Sequence, residues 1–195
     1  MEVAMQDNKL EKEGRRGFMR TQGLITLGTM AAVTLGRSGG AWGATMSKNP
    51  ESDVSILNTA LALEYQAIAA YQVGAQSGLL QKPVLDVAVK FQGQHKAHAQ
   101  ALAGLIHKMG GSPVEAMKVA DYHFPVEKLK TQADVLQFAA GLEKGAASAY
   151  LGVVPVFHDK DLSKAAASIL GDETMHWAIL LNALGQDPVP AAFIG

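Results

Sequence analysis

Beyond about residue 50 the apolar positions recur every three or four residues, and no stretch alternates convincingly with a period of two. That spacing predicts helices, and punctuation divides them into four. "NPESD" (Asn49 to Asp53) opens a first helix that runs to about Gln76, with Gly78 to stop it. Pro83 suits the first turn of a second helix, which ends at Gly110-Gly111. The connection "SPVEAMKVADYHFP" (Ser112 to Pro125) has room for a short helix, and "YHF" (Tyr122 to Phe124) is expected to pack this crossover onto the rest. Thr131 and Asp134 have the chemistry to cap a third helix, which Pro155 and "HDKD" (His158 to Asp161) break. A fourth helix reaches about Leu184, before Gly185 and the Pro-rich ending "GQDPVPAAFIG". The fold class is all-α: a four-helix bundle of two helical hairpins joined by a crossover.

Stepping along each helix by three and four residues gives its inward seam. The first reads Leu57, Leu61, Glu64, Ile68, Tyr71, Ala75, and the second Ala88, Phe91, His95, His98, Leu102, Leu105. The third reads Leu136, Ala139, Glu143, Ala146, Tyr150, Val153, and the fourth Ala166, Ile169, Glu173, His176, Leu180, Ala183. Each seam is apolar except at its middle, where it carries Glu or His. Glu is almost never buried unpaired, because a lone carboxylate in an apolar interior is costly or becomes protonated. The halves also repeat. Glu64 precedes His98 by 34 residues and Glu143 precedes His176 by 33, and each of these glutamates has a Tyr seven residues on, Tyr71 and Tyr150. The pattern is two hairpins related by a pseudo-twofold, each giving one lone Glu and one i, i+3 pair. A divalent cation at the centre would make ligands of the buried carboxylates. Imidazole with carboxylate suits iron, manganese or zinc. Without metal, the same groups would form a polar network that satisfies itself.

Composition narrows this further. Hydrophobic residues are 48% of the 195 and aromatics only 6%, a mixture suited to packed helices. The formal net charge of −1 gives no electrostatic reason to propose nucleic acid as a partner. Cysteine is absent, which removes disulfides, thiolate metal sites, Cys-ligated iron–sulfur clusters and a lipidated Cys anchor. The start of the chain reads differently. "GRRGFMR" (Gly14 to Arg20) is followed by "LITLGTMAAVTL" (Leu24 to Leu35), too short to span a bilayer, and then by "AWGA" (Ala41 to Ala44). Paired arginines, an apolar stretch and small residues in that order resemble a twin-arginine export signal, with Gly14 departing from the usual Ser or Thr. The expected organisation is a signal peptide over 1–43, a linker over 44–51, the bundle over 52–184 and a tail over 185–195. The destination is the periplasm, with no stable membrane anchor after cleavage.

From about Ser52 to Phe193 the chain resembles the ferritin-like superfamily of non-haem di-iron carboxylate bundles, in particular its exported bacterial and rubrerythrin-type members. The pattern of that family is a lone Glu, a Glu-x-x-His, a second lone Glu and a second Glu-x-x-His on successive helices. Glu64 matches the first, Glu143 the third, and "ETMH" (Glu173 to His176) the fourth. The second departs: "HKAH" (His95 to His98) has His where Glu is expected. The resemblance implies a metal site of Glu64, His95, His98, Glu143, Glu173 and His176 holding two iron ions, with manganese or zinc as alternatives. Members of the superfamily oxidise ferrous iron, reduce peroxide, activate oxygen or store iron. The departure matters for charge. Four carboxylates would neutralise two divalent ions; three leave one positive charge over, so the second ion is expected to bind more weakly or to need another ligand.

The leading expectation is a periplasmic oxidoreductase, peroxidase- or ferroxidase-like, working on peroxide, oxygen or ferrous iron. A metal-binding or stress-protection protein without turnover, and a structural helical module with a degenerate site, are the alternatives. No rubredoxin-like Cys₄ site is present, so the electron donor would be external and its identity is open. Tyr71 and Tyr150 are candidates to donate hydrogen bonds to the ligands or to act as redox-active phenols, or are core aromatics. His107, His123 and His158 fall outside the constellation, and Gln94, a step off the second seam, is not counted as a ligand. Met109, Met117 and Met175 read as filler rather than haem ligands. Nothing marks a 24-subunit cage; a homodimer is compatible with the pattern.

Overall fold

The computed structural model describes residues 50–194. The expected signal peptide and most of the linker lie outside these residues. Helix α1 spans Pro50–Gln76, α2 Lys82–Lys108, α3 Gln132–Val153 and α4 Lys160–Ala183, with no strand among the described residues. None of these helices is long and apolar enough to cross a membrane.

The boundaries follow from local chemistry. Glu51 and Asp53 in the first turn of α1 complement the positive end of its dipole. Gly78, at φ +71°, turns the chain towards α2, whose first turn holds Pro83. At the far end Gly110 adopts φ +79°, and the Gly111 N–H returns to the Ile106 carbonyl at 2.9 Å, a 6→1 closure of the α2 C-terminus. Thr131 and Asp134 form a reciprocal capping box at α3: the Asp134 N–H donates to Thr131 Oγ1 at 3.2 Å and the Thr131 N–H to Asp134 Oδ2 at 2.8 Å. Asp159 caps α4 by accepting from the Asp161 N–H at 2.7 Å.

α1 packs along α2 and α3 along α4, giving the two hairpins; across the bundle α1 meets α3 and α2 meets α4. The crossover contains two 3₁₀ turns, Val119–Tyr122 and Val126–Lys128, in place of one short helix. Asn58 ties it to α1, donating to the Ser112 carbonyl at 3.1 Å and accepting from the Val114 N–H at 2.8 Å. Tyr122 is buried and stacked on Phe124, which meets Phe138 of α3 edge-on, so the "YHF" segment does pack the crossover onto the bundle. His158 is exposed in the α3–α4 loop, its Nδ1 3.5 Å from the buried Asp53 carboxylate of α1.

Two apolar clusters fill the interior. One is built around Leu57, Leu61, Leu102, Ile106, Val153 and Ile169, the other around Tyr71, Phe91, Leu136, Ala140 and Leu180. Between them lie Glu64, His95, Glu143, Glu173 and His176, all buried. The seams differ from expectation at a few places. Ala140 and Ala147 face the core where Ala139 and Ala146 were expected, Ile106 is more deeply buried than Leu105, and Ala183 is exposed. A helix turns 3.6 residues at a time, so a seam takes steps of three or four, and adjacent alanines do not reveal which step was taken.

A close contact at the α2 C-terminus gives a test of this packing. A Cβ at Gly111 would lie 2.6 Å from Val54 Cγ1 and 3.1 Å from Ile106 Cγ2. Val54 is β-branched within a helix and has little rotamer freedom to yield. Gly111→Ala should therefore destabilise by about 1–3 kcal/mol, the usual cost of overpacking. Gly104→Ala, at an exposed position of α2 where a Cβ meets nothing within 4 Å, should stabilise by roughly 0.5–1 kcal/mol through helix propensity. Urea denaturation of both variants checks this; equal effects of the same sign would contradict the assigned packing.

Candidate metal centre

Each helix brings its polar residues to the middle of the bundle because their positions fall on the apolar seam. α1 supplies Glu64, α2 His95 and His98, α3 Glu143, and α4 Glu173 and His176. The structure brings all six sequence-predicted residues together, in two overlapping groups. Glu64, His95, His98 and Glu173 form one; His95, Glu143, Glu173 and His176 form the other, and within each group one ligand atom per residue lies within 4.8 Å of the rest.

Glu173 divides its oxygens between the groups. Oε1 is 3.1 Å from His98 Nδ1, and Oε2 is 3.1 Å from His176 Nδ1. His98 Nδ1 also lies 3.5 Å from Glu64 Oε2, and His176 Nδ1 3.4 Å from Glu143 Oε1. Both of these histidines thus aim Nδ1 inwards. Their Nε2 atoms face two residues that the sequence reading did not place in the site. His98 Nε2 is 3.2 Å from Asp172 Oδ2, and His176 Nε2 is 3.1 Å from Gln94 Oε1. An N–H donated outwards fixes the tautomer and leaves the inner nitrogen free to coordinate. Gln94, not counted among the ligands, orients one of them. The signal was present: Gln94 directly precedes His95 and Asp172 directly precedes Glu173, the same place in each repeat.

The two tyrosines cross over. Tyr150 of α3 donates to Glu64 Oε1 of α1 at 2.5 Å, and Tyr71 of α1 donates to Glu143 Oε1 of α3. Burial, then the adjacent carboxylates, hold both phenols well above their ordinary pKa, so they remain donors. Phe91 stacks on His176 with centroids 3.9 Å apart and walls the site from the apolar cluster beyond. Among the described residues of the site, solvent reaches its edge: the His98 and Asp172 side chains are 15% and 17% exposed, whereas the other five ligand candidates are at 0–2%.

Charge is the central feature. Burial would lower the His95 pKa, but hydrogen bonds to Glu143 and Glu64 and the surrounding carboxylate charge outweigh it and raise the pKa to about 10. His98 and His176 are raised to about 9 against the same burial cost by their carboxylate partners. Burial pushes Glu64 and Glu143 up, yet the histidine hydrogen bonds bring both below the ordinary carboxylate range; for Glu173 burial prevails and the pKa rises. Without metal, protons on the imidazoles therefore offset the carboxylates. The offset leaves one defect. Glu143 Oε2 is buried and has no hydrogen-bond partner among the described residues. An unsatisfied carboxylate oxygen costs about 1–3 kcal/mol or more. A cation would satisfy it, and the Glu and His donors fit iron, manganese or zinc.

The charge pattern sets a pH dependence for chelator-treated protein. The folded-state pKa values of the three histidines exceed the unfolded value of about 6.5. Their stabilisation is thus complete below that value and lost as pH rises through about 9 to 10. Glu64 and Glu143, being lowered, stabilise above the ordinary carboxylate pKa and lose their contribution in acid. The melting temperature of metal-free protein should peak between these limits and fall from pH 8 to 10. A melting temperature that climbs over that range would show the imidazoles to be neutral at pH 8.

Comparison with other proteins agrees with this architecture. Residues 52–186 match the sequence profile of the ferritin-like domain. No curated protein sequence is similar enough to count as a relative. Among solved structures, a conserved hypothetical protein of Mycobacterium tuberculosis is 24% identical with a TM-score of 0.63, covering 74% of this chain and 99% of that one. A ferritin-like, diiron-carboxylate protein of Bacillus anthracis is 21% identical with a TM-score of 0.59, covering 71% and 99%. A dodecameric thioferritin, the bacterioferritin-related protein of Bacteroides fragilis, is 23% identical with a TM-score of 0.58, covering 70% and 86%. At these identities the structures speak for the fold. With four helices arranged as two hairpins and the domain profile spanning most of its length, the chain belongs to the ferritin-like family.

Proposed function

We propose that this protein binds a pair of divalent ions, iron foremost with manganese or zinc as alternatives, and that with iron or manganese it acts on peroxide, dioxygen or ferrous iron. The observation that carries this reading is the pair of overlapping His/Glu groups sealed in the bundle, with Glu143 Oε2 left unpaired. Glu64 and His98 would hold one ion, Glu143 and His176 the other, with His95 and Glu173 common to both. The diiron-carboxylate description of the Bacillus anthracis neighbour supports iron. A bound pair of such ions supplies electron transfer and Lewis acidity.

The protein's own groups do the positioning. Tyr71 and Tyr150 each take a lone pair on Oε1 of Glu143 and Glu64, which fixes how those carboxylates present themselves. Asp172 and Gln94 hold the outer nitrogens of His98 and His176. Phe91 and the two apolar clusters keep bulk water out, so a small oxidant approaches along the His98–Asp172 edge. The chain has no cysteine, so reducing equivalents would come from an external donor. We place the site of action in the periplasm on the strength of Arg15-Arg16, the Leu24 to Leu35 stretch and the small residues before Ala44.

Metal should stabilise the fold because only the folded state assembles the ligands. At a free concentration of about 100 times the dissociation constant, the gain is about 2.7 kcal/mol. For a chain of this size that shifts the melting temperature by roughly 5–10 °C. Anaerobic addition of ferrous, manganous or zinc ion to chelator-treated protein should show this, and Glu173→Gln should remove most of the shift. Peroxide decay and oxygen uptake with ferrous iron then test turnover. Binding without turnover would return the protein to a metal-binding role, and no shift with any of the three metals would refute the metal reading.

Export has its own test. With both Arg15 and Arg16 changed to Lys, unprocessed precursor should accumulate in the cytoplasm, whereas the unaltered chain should yield periplasmic protein beginning near Ala44 by mass spectrometry. Normal delivery of the double variant would mean a different export route.

A further inference from the structure

His95 stands where the ferritin-like pattern has a glutamate, and that replacement leaves three carboxylates for two divalent ions. The ring does not serve one side of the site. Its Nδ1 lies 2.9 Å from Glu64 Oε2 and 3.5 Å from Glu173 Oε1, while its Nε2 lies 3.3 Å from Glu143 Oε1. Glu64 belongs to one ligand group and Glu143 to the other, and His95 is a member of both. His98 and His176 behave differently, turning one nitrogen inwards and the other towards Gln94 or Asp172. His95 is 1% exposed and is held between Tyr71 and His176, its centroid 5.3 Å from each of those rings.

The geometry points to His95 as a bridging ligand that gives one ring nitrogen to each of two metal ions, spanning them as an imidazolate. This rests on the metal reading above and goes beyond it. The protonated ring of the metal-free centre has an N–H on each nitrogen. The first ion takes the electron pair of one N–H bond and the second that of the other, and both protons pass to solvent. The ring then carries one negative charge. Three carboxylates and one imidazolate together carry −4, which neutralises two divalent ions without an added anion. The substitution thus removes a bridging carboxylate and restores both the bridge and the charge. Glu173, with one oxygen turned to each group, is the second bridge and is consistent with the same arrangement.

The consequence is a wider metal pair. Metal–nitrogen bonds of about 2.1 Å extend from opposite sides of the ring. The ions are therefore held farther apart than the roughly 3.5–4 Å of ordinary two-metal sites. Mature wild-type chain, stripped with chelator and titrated with cobaltous ion under anaerobic conditions, should take two ions per chain. X-ray absorption or anomalous diffraction should place them well beyond 4 Å. His95→Gln, which keeps a single donor, should drop the stoichiometry from two to one. His95→Glu should keep two and draw them in to about 3.5–4 Å. A short separation in the wild type, or two ions retained by His95→Gln, overturns the bridge and leaves the metal reading standing. A single ion in the wild type overturns the bridge and reduces the metal reading from a pair of ions to one. No ion in the wild type overturns the metal reading and the bridge together. The wild-type separation needs no variant, so a misfolded substitution does not shield the inference.

Discussion

Six ionisable side chains meet in the middle of this bundle, and their mutual neutralisation is the constraint around which the fold is arranged. Three carboxylates buried at 0–2% exposure are untenable singly, because desolvation of each costs several kcal/mol. They persist because each helix delivers its share to one place. A rotation of any helix by one residue would strand a carboxylate among leucines and leave an imidazole without a partner. The polar centre therefore sets the rotation of all four helices, which the apolar clusters above and below would tolerate more loosely. The crossed tyrosines strengthen this, since each ties a glutamate to the helix opposite: Tyr71 of α1 to Glu143 of α3, and Tyr150 of α3 to Glu64 of α1.

This explains which features were legible in the sequence. A Glu or His in the middle of an apolar seam is conspicuous, so the faces of Glu64, His95, His98, Glu143, Glu173 and His176 were readable from spacing alone, as were the capping box at Thr131 and the stop at Gly110. Choices between chemically similar neighbours were not readable. Ala139 and Ala140 are equally apolar, and only packing decided that the second faces inwards. Asp172 and Gln94 were hidden for another reason. They sit one position off the seam, where a polar residue ordinarily signals solvent, and their role depends on two rings reaching outwards to meet them. The two-sided setting of His95 was also beyond periodicity, which assigns a residue to a face but says nothing of where its second nitrogen points.

The same centre is poised between two charge carriers. Metal-free, it is balanced by protons on His95, His98 and His176; loaded, it would be balanced by cations that displace those protons. The protonated form keeps the fold intact but imperfect, because a proton on a ring nitrogen serves only the oxygens that ring can reach. Glu143 Oε2 is the oxygen that none of them reaches. A metal ion accepts several oxygens at once, so it would reach an oxygen that the ring protons leave open. Coupling of metal affinity to pH follows directly from this exchange.

The pseudo-twofold between the hairpins is broken at two adjacent pairs, and the breaks have a common sense. Where the second hairpin has Asp172 and Glu173, the first has Gln94 and His95. The lone glutamates, their tyrosines and the terminal histidines all obey the symmetry. A bundle made from two copies of the first hairpin would bring two His95-type rings together with too few carboxylates to offset them. Two copies of the second would bring together two Glu173-type carboxylates, each beside a further acid. In the metal-free protein the unlike pairing comes nearest to balance, with His95 3.5 Å from Glu173 and Asp172 3.2 Å from His98. The asymmetry that unsettles the family's usual ligand count thus also favours the unlike pairing of hairpins in the metal-free protein.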